Sequence, residues 1–222
     1  MNQQDMTAKM AAGQGFIAAL DQSGGSTPKA LAGYGIEQGA WSSDDEMFDL
    51  IHQARCRIIR SPCFGNGKVI GAILFEKTMD GTVDGTPVPK ALIDLGIVPF
   101  IKIDKGLEAV ADGVQLMKRI PGLDALLERA RALGVFGTKE RSVIHAADLA
   151  GIAAIVAQQF EVGRQVLAHG MMPILEPEYA IAAPDRAAGE EILKAEILGQ
   201  LAALPEGQQV ILKLSIRSEE RS

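Results

Sequence analysis

The stretch Val210-Ile211-Leu212-Lys213-Leu214-Ser215-Ile216 is an apolar run of strand length with one lysine at its centre. A strand with apolar residues on both faces belongs inside a sheet covered on both sides, which is the habit of parallel α/β proteins. An ammonium among Val, Ile and Leu is costly: it escapes to solvent, finds a partner, or loses its proton and becomes a nucleophile. Lys213 therefore raises the questions of what precedes this strand and what faces it.

Similar stretches recur upstream. Gly15 to Asp21 is an apolar strand that stops on a carboxylate, and the small-residue loop Gln22-Ser23-Gly24-Gly25-Ser26-Thr27-Pro28 follows it. Val69 to Phe75 is near-continuously apolar and ends at Glu76, with a Gly- and Asp-rich loop expected after it. Val98 to Asp104 is a third strand, Val135 to Ile144 a fourth and Met171 to Glu178 a fifth. Helical spacing is read between them. Gln3 to Gly13 is a short helix, Ser26-Thr27-Pro28 starts a second, and Ser43, Asp44 and Asp45 offer N-caps to Glu46–Ile59. Leu123 to Gly134, Ala146 to Ala168 and Asp185 to Leu204 are further helices.

Strand and helix alternate throughout, as in a parallel sheet with crossover helices. The charged positions Asp104, Lys139, Glu176 and Lys213 are separated by 35, 37 and 37 residues. Each step fits one strand, one helix and two loops, and equal steps favour a barrel. A doubly wound open sheet is the rival, but neither G-x-G-x-x-G nor G-x-x-x-x-G-K-[ST] occurs. The expected fold class is α/β, of the TIM (β/α)8 barrel family, with only six of the eight strand-helix units evident.

Composition narrows the function. The 222 residues are 47% hydrophobic, enough for one good core, and are read as a single domain over 1–222. A net charge of −6 and an aromatic content of 5% argue against a nucleic-acid surface or a stacking platform. The N-terminus lacks an apolar signal core, and no run is long enough to cross a bilayer, so a cytoplasmic location is expected. Cys56 and Cys63 lack metal-ligand spacing and are expected to be reduced.

In a barrel of this class the functional groups lie at the carboxyl ends of the strands. Asp21, Lys102, Asp104, Lys139, Arg141, Glu176, Glu178 and Lys213 all sit at or near such ends. Any one of them could be a solvated charge where a strand meets its loop; together they are harder to dismiss. Lys213, Lys102 and Glu176 have apolar neighbours and are expected inside the mouth. An amine becomes nucleophilic toward a carbonyl when burial and nearby cations lower its pKa, and Lys102, Lys139 and Arg141 are candidates for those cations. Glu176 or Glu178 could then move protons as a carbinolamine loses water, and Asp21 could take a hydroxyl proton.

At these residues the chain resembles the class I fructose-1,6-bisphosphate aldolases, most closely their bacterial branch. The stretches that carry the resemblance are Ala19–Ser26, Gly71–Glu76, Ile101–Gly106, Lys139-Glu140-Arg141, Pro173–Glu178 and Leu212-Lys213-Leu214, in the family's order across nearly the whole chain. The resemblance implies a lyase (EC 4.1.2.13) that cleaves fructose 1,6-bisphosphate to dihydroxyacetone phosphate and glyceraldehyde 3-phosphate in glycolysis, and runs the reverse condensation. Lys213 would form the Schiff base, Glu176 would be its general acid/base, Asp21 would take the C4 hydroxyl proton, and Lys139 would assist electrostatically. Lys102, Arg141, Glu178 and Asp104 would line the substrate site, and Ser23, Ser26 and Lys29 would lie near a phosphate. No cofactor or metal is implied, because the amine supplies the covalent chemistry.

The same resemblance implies two further strands, with a second phosphate site, beyond Lys213. Only nine residues follow that lysine, so a C-terminally truncated or frameshifted chain is expected. Two alternatives accompany this reading. One is a Schiff-base aldolase for another phosphorylated ketose; the other is a chain with weak or no catalysis that acts in assembly. An open barrel edge would favour association with a second copy. His52, His145 and His169 share no ligand spacing and are read as satisfied or solvent-facing. Cys56 is expected to be buried in its helix.

Overall fold

The computed structural model describes residues 1–215; Ile216, at the end of the expected last strand, lies outside the described residues. The elements in chain order are α1 (Gln3–Ala12), β1 (Phe16–Leu20), α2 (Thr27–Gly33), α3 (Asp44–Arg60), β2 (Val69–Leu74), α4 (Glu76–Met79), β3 (Thr82–Val83), β4 (Thr86–Pro87), α5 (Val88–Asp94), β5 (Val98–Lys102), β6 (Val114–Gln115), α6 (Leu123–Ala132), β7 (Gly137–Ile144), α7 (Leu149–Ala168), β8 (Met172–Tyr179), α8 (Arg186–Ala202) and β9 (Ile211–Leu212). They fall into two compact units, Met1–Lys102 with Arg129–Phe136, and Ile103–Glu128 with Gly137–Ser222.

In the first unit β1, β2 and β5 pair in parallel, with Leu20 beside Leu74 and Leu74 beside Ile101. Every residue of β2 is buried, as its unbroken apolar run requires. The helices begin where local chemistry satisfies their first amides. Asn2 and Asp5 form a reciprocal capping box on α1, and the Ser43 hydroxyl accepts from the Glu46 amide at the start of α3. Helix α3 buries Met47, Ile51 and Ala54 against Leu31 of α2. Behind β5, Phe100 meets Phe136 edge-on at 5.5 Å between ring centroids.

In the second unit β7, β8 and β9 are parallel. Helices α7 and α8 cover one face of β7 and β8 with a core of Ile144, Ile152, Ile155, Val156, Phe160, Leu175, Tyr179, Leu193 and Ile197. Burying a side chain of this size stabilises by about 1.5–3 kcal/mol. Gly189 is required there: a Cβ on it would stand 1.9 Å from the Tyr179 hydroxyl oxygen. The Tyr179 pKa is pushed up to about 12, first by burial and then by Asp185.

Two expectations need correction. The segment after β2 is not a loop: it folds into α4, the antiparallel hairpin β3–β4 and α5. Asp84 and Gly85 both take positive φ, at 50° and 78°, as a two-residue hairpin turn demands. Asp112-Gly113 repeats the device, at 48° and 69°, before β6, which pairs antiparallel with β7. Strand β6 thus makes the pairing in the second unit mixed. The last strand is also much shorter than its apolar run, Ile211–Leu212 alone, because among the described residues it pairs only with β8.

Candidate active site

The charged side chains of the second unit follow from strand parity. Side chains two apart along a strand share a face, and in a parallel ladder paired residues point the same way. Lys139 pairs with Ile174, Arg141 with Glu176, and Val143 with Glu178. Ile174 pairs with Ile211 and Leu175 with Leu212, so the next step sets Lys213 beside Glu176, and the Lys213 amide donates to the Leu175 carbonyl at 2.9 Å. One face thus carries Lys139, Arg141, Glu176, Glu178 and Lys213, while Leu175 and Tyr179 face the helices.

Glu176 is the centre of this face. It is 5% exposed. The Lys213 ammonium donates to its Oε1, and the Lys139 ammonium stands 3.0 Å from Oε2, an ion pair whose angles fall outside hydrogen-bond geometry. Lys139 is buried, yet the Lys213 side chain is 45% exposed. Of the outcomes open to a lysine in an apolar run, Lys213 takes two: a partner in Glu176 and access to solvent. Among the described residues its strand has one neighbour, Leu214 is 48% exposed, and the amine is open to an incoming carbonyl.

Arg141 Nε pairs with Glu178 Oε2, and that bond holds the guanidinium above its ordinary pKa against the opposing effect of burial. The Arg141 amide donates to Asp104 Oδ2 at 3.3 Å, so the buried Asp104 joins the group. Six of the residues read from the sequence are therefore neighbours: Lys213, Glu176, Lys139, Arg141, Glu178 and Asp104.

The other five belong to the first unit. Asp21 follows β1 and Lys102 ends β5, so both emerge at the carboxyl edge of the same parallel sheet, and both are half-buried. The loop after Asp21 is wound on the Ser23 carbonyl, which accepts from the Ser26 and Thr27 amides at 2.9 Å and from the Thr27 hydroxyl at 2.9 Å. The Ser26 hydroxyl accepts from the Ser23 amide at 3.2 Å, which leaves the start of α2 without a side-chain cap. Lys29 is exposed in the first turn of α2.

Three residues near these groups escaped the sequence reading. Glu140 points away from Lys139 and Arg141, onto the helix-covered face, and is fully buried. Thr138 Oγ1 donates to its Oε2 at 3.0 Å, and Oε1 has no partner among the described residues. Burial pushes its pKa up to about 8, so the carboxyl holds its proton at neutral pH. Gln159 of α7 reaches the same face. Its amide nitrogen donates to the Glu140 carbonyl at 3.2 Å and the Ser142 hydroxyl at 2.8 Å, and its oxygen accepts from the Glu176 amide at 3.2 Å. Arg55 on α3 is 1% exposed. A signal existed for two of them: Thr138-Glu140-Ser142 is a polar row on the face that should pack against a helix, and Arg55 lies four residues from both Ile51 and Ile59 on the apolar stripe of α3.

Each histidine has a polar partner, although His52 Nδ1 is buried without one among the described residues. His145 meets Gln115 Oε1 at 2.8 Å, His169 meets Asp124 at 2.8 Å, and His52 meets the Thr82 carbonyl at 3.2 Å. Cys56 is buried, which raises its thiol pKa. No helix among the described residues is long and apolar enough to cross a membrane.

Similarity to known proteins fixes the class of the chain and then its family. The solved structure of fructose-bisphosphate aldolase from Plasmodium falciparum matches 96% of this chain and 63% of its own, with a TM-score of 0.75 at 22% identity. The fold class is accordingly α/β of the TIM-barrel family, six strand-helix units of it in this chain. A family model described as fructose-bisphosphate aldolase class-I matches residues 3–195. A fructose-bisphosphate aldolase class 1 from Porphyromonas gingivalis is 54% identical over 217 residues, covering 97% of this chain and 73% of that protein. The chain belongs to the class I fructose-bisphosphate aldolase family, a family of aldehyde-lyases (EC 4.1.2.13). It spans about three quarters of the bacterial relative and under two thirds of the Plasmodium chain.

Proposed function

We propose that this chain carries the Schiff-base chemistry of a fructose 1,6-bisphosphate aldolase on Lys213. The observation that carries the reading is the sharing of one buried carboxylate, Glu176, by two lysines, of which only Lys213 is open to solvent. A nucleophilic amine needs a group at hydrogen-bond distance that can take and return its protons. Glu176 is that group for Lys213.

The Lys213 amine adds to the C2 carbonyl of the ketose. Glu176 accepts the ammonium proton and returns one to the carbinolamine hydroxyl, which leaves as water and gives the iminium. Asp21, by the family resemblance, then takes the C4 hydroxyl proton. The electron pair of that O–H bond becomes the aldehyde C=O, and the C3–C4 pair moves into C2–C3 and neutralises the iminium as an enamine. Glyceraldehyde 3-phosphate leaves. Protonation of C3 and hydrolysis of the regenerated iminium release dihydroxyacetone phosphate and the free amine. Lys139 beside Glu176 supplies positive charge throughout. Lys102, Arg141, Glu178 and Asp104 hold the sugar hydroxyls, and Ser23, Ser26 and Lys29 lie near a phosphate. Glycolysis places such a reaction in the cytoplasm, and a homo-oligomer accords with the exposed Leu214 beside β9.

Borohydride reduction in the presence of dihydroxyacetone phosphate, followed by peptide mapping, tests the reading. The expected adduct is a single modification on Lys213, abolished in Lys213→Ala. An unmodified Lys213 overturns it. Cleavage of bisphosphorylated against monophosphorylated ketoses decides between fructose 1,6-bisphosphate and another phosphorylated ketose.

A further inference from the structure

The segment that carries Asp21 has a support which the reaction scheme above leaves unused. Arg55 projects from the buried stripe of α3 and its two terminal nitrogens are tied to two different strand exits. Nη1 donates to Thr78 Oγ1 at 2.7 Å, on α4, just after β2. Nη2 donates to the Gln22 carbonyl at 2.6 Å and to Gln22 Oε1 at 3.3 Å. Gln22 is the residue after Asp21, and its own side-chain amide donates back to the Ala19 carbonyl on β1 at 3.1 Å. Asp21 is thus bracketed: Ala19 and Gln22 are clamped together, and Arg55 holds the clamp against α4. The remaining nitrogen, Nε, is buried without a partner among the described residues.

A buried guanidinium is an expensive way to brace a loop, since its desolvation must be offset by bonds to it. Burial lowers the Arg55 pKa to about 10, and the Asp21 charge acts in the opposite direction. Arg55 therefore stays a cation at neutral pH and adds a fixed positive charge near the carboxylate as well as a brace.

We propose that Arg55 is a positioning residue for carbon–carbon cleavage: by fixing Gln22 it sets where the Asp21 carboxylate meets the C4 hydroxyl of the ketose. The proposal rests on the Schiff-base reading above and assigns Arg55 to one step of it. Imine formation is assigned above to Lys213 and Glu176, which belong to the other unit. Proton removal from C4 depends on Arg55, and a misplacement of about 1 Å at a reacting group costs on the order of a hundredfold in rate.

The test separates the two steps in the full chain. In Arg55→Met, borohydride trapping of dihydroxyacetone phosphate on Lys213 is expected at the wild-type rate, while kcat for cleavage of fructose 1,6-bisphosphate falls about ten- to hundredfold with KM within about threefold. Amide exchange at Ser23 to Thr27 is expected to quicken, and Arg55→Lys, which returns a charge, is expected to restore part of kcat. Wild-type cleavage in Arg55→Met overturns the proposal, as does a parallel loss of trapping and cleavage, since that would make Arg55 merely structural. If Arg55→Met does not accumulate as folded protein, Thr78→Val removes the Nη1 partner alone. A selective fall in kcat supports the proposal, and unchanged kcat overturns it. Failure of the wild-type chain to trap at Lys213 is a different result: it removes the Schiff-base reading itself, and this inference with it.

Discussion

Two glutamates on adjacent strands of the second unit, Glu176 and Glu140, are almost equally buried, at 5% and 0% exposure, and have opposite chemistry. Glu176 faces the charged row and has an ammonium at each oxygen. Glu140 faces the helices, has one hydroxyl donor, and carries an oxygen with no partner among the described residues. Its pKa rises to about 8, with burial as the largest cause and the charges of Asp104 and Glu176 adding to it against the opposing pull of Lys139. Burial alone therefore does not make a carboxyl into a counterion or a proton store; the partners that strand parity supplies decide. A shift of one residue along β7 would carry Glu140 to the charged face and Lys139 and Arg141 to the helix-covered one.

The comparison breaks hardest at Glu176. Glu176→Gln keeps the shape and removes both the negative charge and the proton acceptor. Steady-state cleavage is expected to fall by about 10²- to 10⁴-fold, the usual range for a general acid/base, and the rate of borohydride trapping is expected to fall with it. A variant that traps at the wild-type rate would show that Glu176 does not serve imine formation.

Glu140 gives the next largest effect, and on stability rather than rate. Its folded pKa of about 8 lies above the ordinary carboxylate value of 4.5, so between those pH values the folded chain binds a proton that the unfolded chain has released. Stability contributed by this group is therefore full below pH 4.5 and lost as pH rises through 8. The loss amounts to roughly 5 kcal/mol at about 1.4 kcal/mol per pKa unit. Glu140→Gln cannot ionise. Its unfolding free energy relative to wild type, from urea titrations at pH 5, 7 and 9, is expected to rise steadily with pH and to favour the variant at pH 9. A difference that is flat with pH would mean that Glu140 is ionised in the folded chain.

The legibility of the molecule follows the same division. Apolar runs and helical periodicity revealed the five long strands, the position of the short β9 and the major helices, as Val69–Leu74 and α3 show. The inner row Lys139, Arg141, Glu176, Glu178 and Lys213 was legible because charge at a strand exit stands out against an apolar run. The short hairpin at Asp84-Gly85 and strand β6 were missed, since two-residue strands have no period and only their Asp-Gly turns mark them. Glu140 and Arg55 were missed for another reason. A charged residue in a mixed sequence is read as solvated by default, and only the packing of α7 and α3 shows that these two have no solvent to face.

The mildest prediction concerns the residue that ties the two glutamates together. Gln159 spans β7 and β8 from the helix side, donating to the Glu140 carbonyl and accepting from the Glu176 amide, at 3.2 Å each. Gln159→Met fits the same space but leaves a buried carbonyl, the Ser142 hydroxyl and a buried amide without that partner. Each orphaned group costs about 1–3 kcal/mol, offset in part by local relaxation. A net loss of about 2 kcal/mol in unfolding free energy is expected. Because the Glu176 amide is one of the released groups, kcat is expected to fall about three- to tenfold, with KM unchanged. Gln159→Glu keeps the acceptor toward the Glu176 amide and loses the donor toward β7, so it should restore kcat more fully than stability. Equal recovery of both would show that Gln159 braces the strands without orienting the carboxylate that serves Lys213.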